Sequence, residues 1–122
     1  MYIQQFSANK PCDPDKLEVG HFSVLRSVMR DAELLKAALA ALEIPVQING
    51  DVRGSNGQRY RADIVGVLEG KFDIGFIRAE DGSFNLVVDL WGLSHRYDQC
   101  ALISGINQQY RALKQQAEAA GL

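Results

Sequence analysis

The chain has 122 residues, 47% of them hydrophobic and 23% charged, with a formal net charge of -2. That length fits one domain able to bury a core without staples, and the composition excludes bulk disorder and fibrous classes. The acidic balance leaves no overall footprint for nucleic acid or an anionic membrane; with no apolar run near ~20 residues and no charged-then-apolar leader, a soluble, unexported protein is expected.

Residues 1–20 carry Pro11 and Pro14 and no clear period, and read as an N-terminal extension ahead of a single α+β domain over residues 21–122. Its short run Tyr2, Ile3 and Phe6 can add to a sheet edge. From His21 to Met29, Phe22, Val24 and Val28 alternate with His21, Ser23 and Ser27, the period of a strand. A helix follows, with Asp31 as N-cap and Leu34, Leu35, Ala38, Leu39 and Leu42 as its apolar stripe, ended by Pro45. Val46 to Asn49 reads as a short strand, and Gly50, Gly54, Ser55, Asn56 and Gly57 as a loop rich in breakers.

Residues 61–93 hold three alternating runs separated by the turns Glu69-Gly70-Lys71 and Glu80-Asp81-Gly82, a three-stranded meander. Three-residue loops set Leu68 opposite Phe72 and Phe76 opposite Leu86. One face then holds Ile64, Phe72, Ile74, Phe76, Phe84, Leu86 and Val88, and the other Asp73, Asn85, Asp89 and Trp91. In the last helix, capped by Asp98, Leu102, Ile106, Tyr110, Leu113 and Ala117 recur at steps of three and four; the Tyr110 hydroxyl should reach a polar partner. The order strand, helix, strand, meander, helix indicates an α+β fold: a largely antiparallel sheet with two helices on one face.

Two places carry candidate chemistry. The register sets Asp73 across from Asp89, and facing like charges need a compensating cation (Arg26, Arg53 or Arg61), a shared proton or a bound ligand. Asp63, His21 and Trp91 are neighbouring binding candidates, with Trp91 a possible anchor for a partner. The second place is the glycine loop, where Arg53, Arg59 and Arg61 flank Gly54 and Gly57; this spacing can present amides to an anion, but a plain hairpin loop with solvated arginines is the favoured reading. Cys12 and Cys100 make no metal-ligand spacing with each other or with His21 and His95, and read as thiols of a reducing compartment.

His21-Phe22-Ser23, Asp51-Val52-Arg53-Gly54 with Gly57-Gln58, Ala62-Asp63, Asp73-Ile74-Gly75-Phe76, Leu86-Val87-Val88-Asp89 and Gln109-Tyr110 together resemble, in order and spacing, the hypothetical chloroplast open reading frame thirty-five family. The resemblance covers residues 20–122. It implies a cyanobacterial or plastid setting, hence a cyanobacterial cytosol or plastid stroma, and implies no reaction. Against the family pattern, residues 1–19 are additional and a strand pair past the last helix is missing, so an open sheet edge is expected.

The chain shows no nucleophile beside a base and no phosphate fingerprint. The reading favours a non-enzymatic protein-binding or adaptor module, joined to a partner or a second copy through a sheet edge, with no cofactor and no membrane. Two alternatives stand beside it. One is a small metal-binding protein or enzyme built on Asp73 and Asp89, the other nucleotide or nucleic-acid binding through the loop at residues 53–61, against which the acidic balance weighs.

Overall fold

The computed structural model describes residues 17–19, 21–94 and 97–120. Its elements run β1 (Leu17–Val19), β2 (Phe22–Leu25), α1 (Ala32–Ala41), β3 (Val46–Arg53), β4 (Arg59–Gly66), β5 (Ile74–Arg78), β6 (Phe84–Val88), α2 (Leu90–Leu93) and α3 (Gln99–Ala119). The strands form one sheet in the order β1-β2-β6-β5-β4-β3, every neighbour antiparallel. The α+β class is as expected. Several boundaries differ: residues 17–19 of the expected extension form an edge strand, β2 stops at Leu25 instead of running to Met29 and leaves Val28 exposed, β3 continues to Arg53, and the short α2 follows the meander.

The meander register agrees with the alternation. Ile64 pairs with Phe76 and Phe76 with Leu86. The β5–β6 connection is tight: the Gly82 amide donates to the Ala79 carbonyl at 3.0 Å, with Gly82 at φ 91°. That left-handed conformation costs glycine little. The β4–β5 connection is longer than expected, because β4 stops at Gly66 and β5 starts at Ile74.

Both longer helices lie over one face. The Asp31 carboxylate accepts from the amides of Glu33 and Leu34, occupying orphan donors of the first turn of α1. Leu35, Ala38 and Leu39 of α1 and Ile103, Ile106 and Tyr110 of α3 are buried against Leu25, Ile64, Ile74, Phe76, Phe84, Leu86 and Val88. The Tyr110 hydroxyl accepts from the amides of Arg30 (3.0 Å) and Asp31 (2.9 Å), fastening α3 to the entry of α1. A buried phenol needs such a partner, and here it serves two otherwise orphaned amides.

The opposite face corrects the expected polar surface. At Asn49, φ is 53°, and the β3–β4 hairpin bends there without slipping register: Ile48 pairs with Ile64 on one side of the bend and Gly50 with Ala62 on the other. Asparagine is among the few residues that enter the left-handed region readily. The β4–β5 ladder ends at Ile64, and the Asp63 carboxylate instead accepts from the Arg78 amide at 2.8 Å. The far arm of the hairpin is thereby folded back across the sheet. Its Val52 sits over Gly75, and its Tyr60 meets Phe22 edge-on with ring centroids 5.6 Å apart. Phe22, Val52, Ala62, Val65 and Val87 form a second buried core there.

The close approach of the arm depends on Gly75. A Cβ at that position would lie 2.3 Å from Val52 Cγ2 and 3.0 Å from Ala62 Cβ. Gly75→Ala is expected to destabilise by about 2–3 kcal/mol, the upper part of the overpacking range. Urea unfolding checks this, and Val52→Ala in the same chain should recover part of the loss, since the two side chains compete for one space. Equal, additive losses would show that the arm does not press on Gly75.

Candidate functional site

Asp73 lies just before β5 and is buried, its side chain 3% exposed. Arg53, at the end of β3, grips it in a bidentate pair, Nε to Oδ2 at 2.8 Å and Nη2 to Oδ1 at 2.8 Å. The amides of Arg53 (3.1 Å) and Leu68 (3.3 Å) also donate to the carboxylate. Arg53 Nη2 further donates to the Leu68 carbonyl. The hydrogen bond to Asp73 raises the Arg53 pKa above its ordinary value, with burial opposing and charge attraction adding. A planar fork matches a carboxylate in a way a lysine cannot.

Asp89 follows β6 and is fully buried. Its Oδ1 accepts from the Gly92 amide at 2.9 Å, capping α2, and its Oδ2 accepts from the amide (2.8 Å) and the hydroxyl of Ser55 in the hairpin tip. Burial pushes the carboxyl pKa up, but the Ser55 hydroxyl, the amides of Gly92 and Ser55, and His21 nearby outweigh it, holding Asp89 below the usual carboxylate range.

The ladder that sets Asp73 across from Asp89 ends one step short of them, at Ile74 with Val88. Each carboxylate has its own donors, so the repulsion foreseen in the register is met by Arg53 for one and by Ser55 and Gly92 for the other. Among the described residues no group of three or more His, Cys, Asp or Glu is placed to hold a metal ion. Asp63 is occupied with the Arg78 amide, and the His21 amide donates to Gln58 Oε1. Trp91, in α2, is 67% exposed, and His95 lies outside the described residues. Cys100 is disulfide-bonded, so the thiol expectation does not hold for it; Cys12 lies outside the described residues.

The glycine loop is a hairpin tip with a 3-10 turn at Ser55–Gly57. Gly54 packs on the Phe22 ring, where a Cβ would come within 2.6 Å of Cζ, and the Ser55 amide is taken by Asp89. Gly57 has φ 74° with open space around it. Beside the tip runs a groove of about 450 Å³ lined by Arg53, Arg59, Lys71 and Phe72 with the loop backbone. Arg61 is not among its walls and lies 3.8 Å from Asp51. Lys71 and Phe72, which line the groove, read in sequence as a turn residue and a core residue; only the folded-back hairpin brings them beside the loop.

Two outcomes are expected. Arg53→Ala strands a buried carboxylate and should cost about 2–3 kcal/mol, less than the ~3–5 kcal/mol of a fully buried pair because Arg53 is partly exposed; Arg53→Lys should recover less than half of that in chemical denaturation. Asp89 has a depressed folded pKa, so its contribution is complete above the unfolded carboxyl value of about 4 and is lost as pH falls through the folded value. Asp89→Asn should therefore be less stable than wild type by about 1–3 kcal/mol at neutral pH, with the gap closing below about pH 4 in denaturant titrations.

No curated protein and no solved structure matches the chain. A family model does match, over residues 38–121, and its description assigns no activity. With that match spanning β3 to β6, α2 and α3, well over half of the chain, the chain belongs to the family described as Protein of unknown function (DUF1257).

Proposed function

We propose that this chain is a non-enzymatic protein-binding module that receives a partner strand along the outer edge of β3, in the cyanobacterial cytosol or plastid stroma that the family resemblance implies. The observation that carries this reading is the edge itself. Among the described residues β3 has a neighbour on one side only, and Gln47, Ile48 and Asn49 are exposed, Ile48 at 51%. Residues 46–50 contain no charge and no proline, the usual guards of an edge strand. Strand addition would draw affinity from main-chain hydrogen bonds and specificity from an apolar residue set beside Ile48. Among the described residues no helix is long and apolar enough to cross a membrane.

The metal or catalytic use of Asp73 and Asp89 draws less support. A carboxylate that already collects several donors has few lone pairs left for a cation or a substrate.

The test is site-specific photo-crosslinking in the native host. A crosslinker at Gln47 should capture a partner, or a second copy of the chain, that one at Gln115 on the exposed side of α3 does not. Ile48→Lys should abolish the capture while shifting stability by no more than about 0.5 kcal/mol, as exposed substitutions do. Equal capture from both positions, or capture unaffected by Ile48→Lys, overturns the reading.

A further inference from the structure

The groove beside the hairpin tip has a chemistry that strand addition does not use. Its volume of about 450 Å³ falls within the ~300–1,000 Å³ of small-molecule sites. Among the described residues three bases and no carboxylate line it, in a chain where acids outnumber bases 15 to 13. The groove between α1 and the start of α3 instead carries Glu43 and Glu69, and two others mix both signs. Arg59 and Lys71 make no ion pair among the described residues. Arg53 directs Nε and Nη2 to Asp73 and Leu68, leaving its Nη1 donors unspent among the described residues. Two uncompensated cations in one concave site are the arrangement that holds a phosphate group.

Phe72 supplies the other half. Its ring is half-buried and backed by Gly92, where a Cβ would lie 2.1 Å from Cε1, so the ring is fixed while forming a wall of the groove. A fixed aromatic face is a stacking platform for a planar base. A polyanion needs cations along an extended path, whereas these are gathered at one short groove on an acidic chain. We propose that the groove binds a mononucleotide, its phosphate between Arg59 and Lys71 and its base against the Phe72 ring.

Amide NMR of the full chain tests this, with AMP, adenosine, inorganic phosphate and a thymidine oligonucleotide as separate probes. AMP should give saturable shifts confined to residues 54–59 and 71–73, weakening as salt is raised. Arg59→Ala and Lys71→Ala should each weaken AMP roughly tenfold without changing the melting temperature, both side chains being exposed. Phe72→Leu should weaken AMP about fivefold and leave phosphate binding unchanged. The proposal is overturned by no saturable shift at low salt, by inorganic phosphate or adenosine binding as tightly as AMP, or by binding of the oligonucleotide alone. It is independent of the β3 edge, so Ile48→Lys should leave AMP binding intact.

Discussion

A carboxylate removed from water stays charged only where donors surround it, and this fold depends on two such places. Asp89 and Asp73 sit just after β6 and just before β5, and each draws part of its donor set from the β3–β4 hairpin. The hairpin cannot leave the sheet without stripping Asp89 of the Ser55 hydroxyl and amide and Asp73 of Arg53. Leaving would also expose Phe22, Val52, Ala62, Val65 and Val87 to water. The polar and apolar terms therefore act on the same motion. The clasps fix where the arm lies, and burial of the second core supplies much of the drive to lie there.

The two faces of the sheet are built to different thicknesses. Beneath the helices stand Phe76, Phe84, Leu25, Leu86 and Ile74, large side chains that fill the gap between a sheet and helical cylinders. Beneath the hairpin arm the residues are mostly valine and alanine, with Gly75 and Gly54 at the closest approaches. Where the arm ends, the thin layer stops and the groove at Arg59, Lys71 and Phe72 begins.

What was legible in the sequence was local or periodic. The Asp31 and Asp98 caps, the Tyr110 stripe and the meander register all follow from spacing, and all stand in the structure. Arg53 was one of three arginines able to answer the facing acids, and its choice required knowing where β3 ends. The folded-back arm escaped because it turns on one residue, Asn49, and on contacts between positions far apart in the chain, such as Ser55 with Asp89. A signal was nonetheless present. Ile64-Val65 and Leu86-Val87-Val88 are unbroken apolar runs, and a strand apolar on both sides is covered on both.

The bend at Asn49 has a consequence for the life of the chain in a crowded solution. Fibril-forming segments are flat, uncharged stretches of about six or seven residues that stack in register. The edge of β3 is uncharged over residues 46–50, but the left-handed turn of its backbone at Asn49 breaks the stretch before it can serve as such a template. Beyond the bend come Asp51 and Arg53, which bring charge to the same strand. One residue thus both folds the hairpin over and keeps an unguarded edge too short and too crooked for open-ended stacking.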